Sequence, residues 1–246
     1  MSEVQTLARG LKIIDLLADA EDGLTAADLM SQLGIDKSGI SRLMGTLVKY
    51  RYVDRDDQSR RYYLGTYIHG LGDRAGQHAT LRDLVQPYLV RLSAQSNENS
   101  HVAVLSSSQA LTIADQPSTE PLRVVSEVGR RMPLHCSAVG KCFLAFGEVD
   151  LPASFPRFTD KTLVDEQAVH QAVNQIREQE FALDDEELTL GVRGIAVPVR
   201  NREGRMVASL GISGPSVRLT LDSVPEWVEL LQTVAGEISA ELGYAG

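Results

Sequence analysis

Residues 24–64 constrain the fold of this chain more than any other stretch, because they have the pattern of a helix, a turn, a second helix and a two-stranded wing. Thr25 and Asp28 have the spacing of a capping box, in which each side chain accepts a hydrogen bond from a free backbone N–H at a helix start. A glycine then ends that helix, and Asp36 predicts the cap of the next one. Together with a preceding amphipathic helix, this stretch predicts a winged helix-turn-helix domain at residues 1–64.

The second helix of this motif is predicted to have one buried face and one outward face. Its buried side is expected to comprise Ile40, Leu43, Met44 and Leu47. Its outward side chains are of the types that contact phosphates and base edges, namely Lys37, Ser38, Ser41, Arg42 and Thr46. Two arginines expected beside the tip of the wing, Arg60 and Arg61, complete this candidate DNA-binding set.

The charge of this region differs from that of the rest of the chain. Residues 37–63 contain seven basic and three acidic side chains, a net charge of +4, whereas the whole chain carries −9. Residues 1–75 contain 10 basic and 11 acidic side chains, so nearly all of the negative charge belongs to the remainder. A basic island in an acidic protein is typical of a DNA-binding module, and an acidic companion domain is better suited to sensing or assembly.

A packing role is the alternative interpretation of the helix-turn-helix region. Such units also serve as packing or dimerisation modules, and a basic helix face is often only solvated surface. Gly39 and Gly45 also oppose the second helix, because each costs about 1 kcal/mol relative to Ala in a helix interior. The residues of this region alone leave both interpretations open.

Three segments flank or follow this motif. The buried face of a first helix is predicted to comprise Leu7, Leu11, Ile14 and Leu17 with Ala18. The glycine-punctuated residues 65–79 predict a linker helix. A new apolar stripe after Thr80, with Asp83 at the capping-box position, predicts the first helix of a second domain at residues 80–246.

The second domain alternates between strand-like and helical stretches. The strand-like stretches, rich in β-branched residues, are 101–108, 110–116, 122–128, 194–201 and 206–214. The helical stretches are 137–146, 166–180 and a last helix from Ser223, with Glu226 as its capping-box partner. Residues 201–204 predict a hairpin turn and hence an antiparallel strand pair. The predicted fold class is therefore α+β, built around one sheet.

The composition argues against several classes of protein. The 246 residues, 43% of them hydrophobic, contain no apolar run near the roughly 18 residues of a membrane span, and the N-terminus does not have the pattern of a signal peptide. Only Cys136 and Cys142 occur, so no disulfide framework is expected. We therefore expect a cytoplasmic protein without a membrane partner.

Motifs for catalysis and metal binding are weak in this sequence. Residues 70–75 match a dinucleotide fingerprint only superficially, since they follow the wing and do not open a βαβ unit. His135 and Cys136 are adjacent on an extended segment and so point to opposite sides, which opposes mutual activation. No His/Cys pair has a recognised metal-ligand spacing. We expect no catalytic residue, no metal, no cofactor and no enzymatic activity.

Residues 132–141 are the strongest candidate for a ligand site. A strand-like approach that includes Met132 leads into a helix whose first free N–H groups belong to Ser137, Ala138 and Val139. A helix start of this kind favours an anion such as a carboxylate. The same residues suit equally well a simple helix capped by Ser137, and on their own they do not separate the two interpretations.

Taken together, these stretches resemble the IclR family of bacterial transcriptional regulators over essentially the whole chain. The resemblance is carried, in the family's order, by LARGLKIIDLLAD, IDKSGISRLMGTL and YYLG in the first domain, then by MPLHCSAVGK, DDEELTLGVRGIAVPV and ASLGISGPSVRLT in the second. It implies a GAF-like C-terminal domain that binds a small organic acid effector and supports oligomerisation. It also implies a homodimer or dimer of dimers that places recognition helices on a pseudo-palindromic operator in double-stranded DNA.

Carried over residue by residue, the resemblance also implies the lining of an effector pocket. That lining would include Ala138, Val139, Asp184, Val192, Gly194, Gly211 and Ser213. Many relatives have Cys at the position of Gly194 and Ser at the position of Gly211, so the pocket is expected to lose side-chain volume at both points. A larger, flatter effector than a two- or three-carbon keto acid then fits, and we expect an aromatic or otherwise bulky carboxylate. Gly39 also replaces a common Ser or Thr, which leaves DNA readout to its neighbours.

The mechanism implied is ligand-dependent transcriptional control. Effector bound in the second domain would favour one geometry between subunits, and the linker would transmit it to the spacing of the two winged helices. The competing class is an enzyme or metal-binding sensor that retains this fold without a DNA function. That class predicts that removal of residues 1–75 leaves the activity intact.

Overall fold

The computed structural model describes residues 4–20, 22–74 and 77–245, without the side chains of residues 69, 72–74 and 77–80. The chain divides into two units, Met1–Ala79 and Thr80–Gly246. Residues 75 and 76, which belong to the predicted linker helix, lie outside the described residues. None of the described helices is long and apolar enough to cross a membrane.

The first unit contains a small antiparallel sheet and the predicted helices. Its elements are α1 (Gln5–Ala18), β1 (Leu24–Thr25), α2 (Ala26–Leu33), α3 (Lys37–Lys49), β2 (Val53–Arg55), β3 (Arg61–Leu64) and α4 (Tyr67–Arg74). Within these residues the strands pair in the order β1-β3-β2. The sequence did not predict β1. This short strand lies just before α2 and gives the wing strand β3 a second partner.

The helix ends predicted in this unit are confirmed. The Thr25 hydroxyl accepts a hydrogen bond from Asp28 N–H at 3.2 Å, and the Asp28 carboxylate accepts one from Thr25 N–H at 2.8 Å. Gly34 ends α2 with a φ of +62°, where glycine meets no steric penalty. The Asp36 carboxylate accepts from Gly39 N–H at 3.0 Å and caps α3. Local bonds alone therefore define the turn between the two helices.

The predicted buried face of α1 is confirmed at Leu17 and wrong at Leu7, Leu11 and Ala18. Ile13 and Leu17 are the buried residues of this helix, whereas Leu7 and Leu11 are 62% and 55% exposed. Helix α1 carries apolar side chains on two faces, and its packing against α3 and β3 selects the face that contains Ile13. Periodicity within one helix cannot make that choice, because the choice depends on the neighbouring elements.

The second unit is organised around one antiparallel sheet. Its elements are α5 (Gln77–Ser96), β4 (Asn99–Ser106), β5 (Gln109–Gln116), β6 (Arg131–Met132), α6 (Ala138–Phe146), α7 (Glu166–Gln179), β7 (Ala182–Asp185), β8 (Val192–Arg200), β9 (Met206–Pro215) and α8 (Val224–Glu241). Within residues 77–245 six strands pair in the order β6-β5-β4-β9-β8-β7. This architecture confirms the predicted α+β class, although α5 begins three residues before the predicted start at Thr80.

Helices cover both faces of this sheet. Helices α5 and α8 pack on one face through large apolar residues such as Leu89 and Leu231. Helices α6 and α7 pack on the other face, where the sheet presents the small side chains of Ala103, Ala182 and Ala196. Successive residues of a strand point to opposite faces, so the same strands supply both layers. The small residues on this face let α6 and α7 pack close to the sheet.

Residues 122–128, predicted as a strand, form no strand in the structure. The carbonyl oxygen of Leu122 accepts a hydrogen bond from the Arg218 side chain at 3.0 Å, and that of Val125 accepts from Arg130 at 3.1 Å. Side chains therefore satisfy carbonyl groups that a neighbouring strand would otherwise pair. β-branched composition favours extended backbone but does not supply a partner strand.

The remaining connections are partly as predicted. The hairpin at residues 201–204 is confirmed, because it joins β8 and β9 in an antiparallel pair. The acidic strand β7 was not predicted. The capping box of Ser223 and Glu226 is wrong, because Leu221–Ser223 forms a 3-10 turn that leaves Ser223 in a helical conformation. A cap residue needs extended backbone to direct its side chain at the first turn.

Gly140 allows the first turn of α6 to approach the preceding segment. A Cβ at Gly140 would lie 2.4 Å from the carbonyl oxygen of Pro133 and 2.6 Å from the Cα of Leu134. We expect Gly140→Ala to lower the free energy of unfolding of the second unit by about 2 kcal/mol or more, because backbone atoms must move. Urea denaturation followed by the fluorescence of Trp227, the single tryptophan, measures this change.

The matched control is Gly236→Ala in α8, since nothing lies within 4 Å of the Cβ position at Gly236. This variant should be as stable as the wild type or more stable by up to about 1 kcal/mol, because Ala favours a helix over Gly. A Gly140→Ala variant as stable as the wild type would contradict the close approach at α6.

Candidate functional site

Helix α3 presents the predicted DNA-contacting side chains on one exposed face. The exposed residues are Lys37, Ser38, Ser41, Arg42 and Thr46, and Ile40 and Met44 are buried on the other side. The Ser38 hydroxyl donates to the Asp36 carboxylate at 2.7 Å, and the Thr46 hydroxyl donates to the Arg42 carbonyl at 2.9 Å. The side chains of Lys37, Ser41 and Arg42 form no hydrogen bond or ion pair with any described residue, which leaves them available to an outside partner.

The wing holds its two predicted arginines differently. Arg60 is exposed at the turn between β2 and β3. Arg61 donates from Nη1 to the carbonyl oxygen of Gly23 at 2.7 Å, so its guanidinium lies against the segment before β1. Asp56 stabilises the turn by accepting a hydrogen bond from Gln58 N–H at 2.8 Å. Arg60 therefore lies on the outer surface of the wing, whereas Arg61 makes a structural contact with the segment before β1.

A cavity of about 490 Å³ lies on the α6 face of the sheet in the second unit. Residues of β4, β9 and β8 contribute to its floor, the start of α6 forms one wall, and residues 122–126 and 215–217 border it elsewhere. Eight of the predicted effector residues line it, namely Met132, Ser137, Ala138, Val139, Asp184, Val192, Gly194 and Ser213. The tertiary structure thus brings together residues from five separate segments of the sequence.

Gly211 is the predicted effector residue that does not line the cavity. It lies directly opposite His101 of β4, and a Cβ at Gly211 would lie 3.2 Å from His101 Nε2 and 3.0 Å from the Ile195 carbonyl oxygen. Gly211 therefore makes room for an imidazole, which corrects the expectation that it enlarges the pocket. At Gly194 the expectation holds geometrically, because the nearest atom to its Cβ position is Ala138 Cβ, in ordinary contact at 3.5 Å.

The start of α6 offers backbone donors to the cavity. Ser137 caps the helix, since its hydroxyl oxygen accepts from Gly140 N–H at 3.1 Å and donates to the Pro133 carbonyl at 2.6 Å. The N–H groups of Ala138 and Val139 form no hydrogen bond with a described residue, and both residues border the cavity. A helix start carries partial positive charge, so this wall favours an anion.

Asp184, at the end of β7, lies beside Gly194 on the same wall. Its Oδ1 accepts hydrogen bonds from the N–H groups of Glu187 at 2.8 Å and Leu188 at 3.3 Å. Burial raises the pKa of Asp184 to about 7, against the opposing charge of Lys141. Lys141 itself forms a buried ion pair with Glu187. The cavity wall therefore contains an acid that carries a proton part of the time near neutral pH.

The sequence did not single out His101 or the basic residues of the cavity. His101 is 6% exposed, and its Nδ1 has no hydrogen-bond partner in the described part of the chain. Burial lowers the pKa of His101 to about 4, so the ring is neutral at pH 7. Arg123 and Arg130 also border the cavity. The sequence shows a histidine within the strand-like run HVAV. Its position in the cavity could not be predicted without the strand register that places His101 opposite Gly211.

The two cysteines are buried thiols. Burial raises the pKa of Cys136 and of Cys142 to about 12, so both stay protonated at neutral pH and are poor nucleophiles. His135 directs its Nε2 at the carbonyl oxygen of Pro156, at 3.0 Å, rather than at its neighbour Cys136. Among the residues that the structure describes, no three His, Cys, Asp or Glu side chains are grouped so as to hold a metal ion.

Comparison with known proteins identifies the family. Residues 6–57 match the IclR helix-turn-helix domain, and residues 74–240 match the bacterial transcriptional regulator IclR C-terminal domain. The chain belongs to the IclR family. This IclR-family protein is thus a helix-turn-helix transcriptional regulator with an effector-binding C-terminal domain. It is 31% identical over 250 residues to the HTH-type transcriptional regulator XynR of Escherichia coli (strain K12), with 99% of each chain covered.

Solved structures show the same architecture for the IclR-family regulator. An IclR transcriptional regulator from Alicyclobacillus acidocaldarius superposes with a TM-score of 0.83 at 25% identity, over 97% of this chain and 99% of that one. An IclR homologue from Microbacterium hydrocarbonoxydans, complexed with 4-hydroxybenzoate, gives a TM-score of 0.82 at 23% identity, over 96% and 98% of the two chains. The second likeness shows the shared fold.

Arg42, like Lys37 and Ser41, is an exposed α3 residue whose side chain forms no hydrogen bond or ion pair with a described residue, and a guanidinium is suited to a base edge. We expect Arg42→Ala to weaken operator binding by about 1–3 kcal/mol if it contacts a base. Fluorescence anisotropy of the full-length protein on an operator duplex measures the change. Arg202→Ala, an exposed arginine in the hairpin of the second unit, is the control and should leave DNA affinity unchanged. Equal losses in both variants, or none in either, would remove Arg42 from the interface.

The raised pKa of Asp184 predicts a pH-dependent stability. The folded protein keeps a proton at Asp184 up to about pH 7, whereas the unfolded chain releases it near its ordinary value of 3.8. The stabilisation from this proton is present at low pH and is lost as the pH rises to about 7. We expect the stability of Asp184→Asn relative to wild type to be greater at pH 8 than at pH 5 by about 1–3 kcal/mol.

Urea denaturation at several pH values tests the effect at Asp184. The buried Glu187, whose pKa is also raised by burial, is present in both proteins, so the comparison cancels its contribution to first order. Parallel pH profiles for the two proteins would show that Asp184 is ionised throughout.

Proposed function

We propose that this regulator binds a pseudo-palindromic operator as a homodimer or dimer of dimers, and that a bulky, preferably aromatic, carboxylate in the cavity controls operator affinity or promoter activity. The DNA contacts are assigned to α3 and the wing. The observation that carries the effector proposal is the cavity itself, which combines a largely apolar lining with the free N–H groups of Ala138 and Val139. The effector carboxylate is placed at those groups.

The size and lining of the cavity suit a ring better than a short keto acid. Its volume of about 490 Å³ lies within the roughly 300–1,000 Å³ typical of small-molecule sites. Apolar side chains such as Val139, Leu188 and Val192 stabilise a ligand in proportion to the apolar surface that it buries, about 25 cal/mol per Å². A two- or three-carbon acid has little such surface. Gly194 has no side chain to fill the space beside Ala138, and this space suits a planar ligand.

The charges around the cavity also support a carboxylate. Arg123 and Arg130 border it, and each adds positive charge at the edge of the cavity formed by residues 122–126 and 130. Asp184 would repel an anion when ionised, but its raised pKa allows it to carry a proton near neutral pH. Binding of the anion and protonation of Asp184 therefore favour each other, because an anion bound beside an ionised Asp184 would place two negative charges on one wall.

The homologue complexed with 4-hydroxybenzoate supports the proposed ligand class. That ligand is a ring that carries a carboxylate. The two chains are 23% identical, so the support extends to what the shared fold can hold and not to individual residues.

DNA binding and effector binding are tested in sequence with the full-length protein. Anisotropy on duplexes that tile the region upstream of its own gene, against a scrambled duplex at physiological salt, is expected to find tight and selective binding. Calorimetry is then expected to show that benzoate or a hydroxybenzoate binds more tightly than pyruvate or glyoxylate. Tight binding of either keto acid with no binding of an aromatic acid would refute the effector proposal.

Coupling between the two sites has a thermodynamic requirement. If the effector changes operator affinity by some factor, the operator must change effector affinity by the same factor. Titrations of the aromatic acid with and without the operator duplex test this equality. Equal acid affinity in both titrations would show that the two sites are not coupled.

A larger side chain at position 194 should weaken effector binding without disturbing the fold. The Cβ position at Gly194 has only ordinary contacts, with the nearest atom at 3.5 Å, so a Val side chain would project into the cavity. We expect Gly194→Val to weaken aromatic-acid binding by about tenfold or more, equivalent to about 1.4 kcal/mol, while operator binding without effector is retained. Gly236→Ala, remote from the cavity, should leave both unchanged. An unaltered acid affinity in Gly194→Val would place the ligand elsewhere.

A further inference from the structure

His101 is a buried polar group of the cavity to which the proposed function gives no role. It borders the cavity from β4 and is 6% exposed. Neither ring nitrogen has a hydrogen-bond partner among the described residues; Nδ1 is shielded from solvent, so Nε2 is the nitrogen that a ligand can reach. Nearly all buried polar groups in native proteins are hydrogen-bonded, so an unpaired one calls for a specific explanation. A histidine kept only for packing would be expected to have a partner, as His135 has in the carbonyl of Pro156.

The sheet makes room for the His101 ring. Gly211 is its direct partner across β4 and β9, and any side chain at position 211 would place a Cβ 3.2 Å from Nε2 and 3.3 Å from Cε1. Such a contact is tighter than ordinary van der Waals packing, so the ring or its neighbour would have to move. The absence of a side chain at Gly211 therefore lets the imidazole lie on the floor of the cavity instead of being displaced.

His101 lies away from the helix start. Gly194 of β8, which touches the start of α6, is separated from His101 by the intervening strand β9. Two strand spacings amount to about 10 Å. A ligand whose carboxylate is at the N–H groups of Ala138 and Val139 would therefore present its opposite end toward His101.

The chemistry of the ring selects the group that it can bind. Burial, with a smaller effect from the charge of Arg130, holds the pKa of His101 near 4, so the imidazole carries no charge at pH 7. A neutral imidazole has one donor and one acceptor nitrogen, and a hydroxyl group can both donate and accept. A carboxylate binds more strongly to the α6 N–H groups and the two arginines than to a neutral imidazole, because those groups carry positive charge.

We infer that His101 is a specificity-determining residue that hydrogen-bonds a hydroxyl group on the end of the effector opposite its carboxylate. The preferred ligand is then a hydroxylated aromatic acid rather than the parent acid. This inference rests on the proposed function for the position of the carboxylate. The hydroxyl contact itself depends only on the cavity, His101 and Gly211.

The test uses benzoate, 3-hydroxybenzoate, 4-hydroxybenzoate and phenol as probes of the full-length protein, with affinities measured by calorimetry. We expect the wild type to bind at least one hydroxybenzoate more tightly than benzoate by roughly 3- to 10-fold, the worth of one hydrogen bond. His101→Phe keeps a ring and removes both nitrogens, so it should abolish this preference while benzoate affinity stays within about twofold. His101→Gln keeps a donor and an acceptor and should retain part of the preference.

The control variant is Thr112→Val. Thr112 is another buried residue of the same sheet with an unpaired hydroxyl, but it does not line the cavity, so the hydroxybenzoate preference should be unchanged. Thermal unfolding of each variant checks that the second unit is folded. If His101→Phe does not fold, the folded His101→Gln decides the question. A preference as large as that of the wild type would overturn the inference, and a reduced or lost preference in a variant that still binds benzoate would support it.

The outcomes for this inference and for the proposed function differ. Equal wild-type affinity for benzoate and both hydroxybenzoates, or a preference that survives His101→Phe, would overturn the role of His101 and leave the carboxylate proposal intact. Phenol binding that His101→Phe weakens, with no binding of any acid, would support His101 and refute the carboxylate. Binding of none of the four probes to the wild type would overturn both.

Discussion

The register of β4, β9 and β8 determines which side chains meet in the cavity. Gly194 pairs with Ser213, and Gly211 pairs with His101, so these residues share the α6 face of the sheet. A one-residue slip would turn the whole set toward α5 and α8 and would bring large apolar residues into the cavity, because side chains alternate between faces. The hairpin between β8 and β9 and the apolar packing of α8 on β8 hold this register.

The cavity has a largely apolar lining, and costly buried polar groups lie beside it. The ion pair of Lys141 and Glu187 is buried, and Glu187 Oε2 has no hydrogen-bond partner among the described residues, so the pair repays its loss of hydration incompletely. Glu187 also donates its N–H to Asp184, so helix α6 and the end of β7 are tied together through one residue. This arrangement positions the free N–H groups of α6 relative to Asp184 before any ligand arrives, which lowers the ordering cost of binding.

Local interactions explain how much of the first unit could be predicted. The caps of α2 and α3 depend on residues within three positions of one another, so Thr25, Asp28 and Asp36 were sufficient to place both helices. The buried face of α1 was predicted correctly only at Leu17, because Leu7 and Leu11 compete with Ile13 for the core and only the position of α3 and β3 decides between them. The contact of Arg61 with Gly23 likewise depends on the pairing of β3 with β1.

The sequence by itself determined the α+β class, the winged helix-turn-helix, the β8–β9 hairpin and most residues of the cavity wall around α6, because these follow from short-range patterns and from the family resemblance. Only the tertiary structure decided that residues 122–128 lie without a strand partner, that β7 completes the sheet, and that Gly211 makes room for His101. These features depend on which segments meet across the sheet. That choice is made by pairing and packing between residues far apart in the sequence, such as His101 and Gly211, which are 110 positions apart.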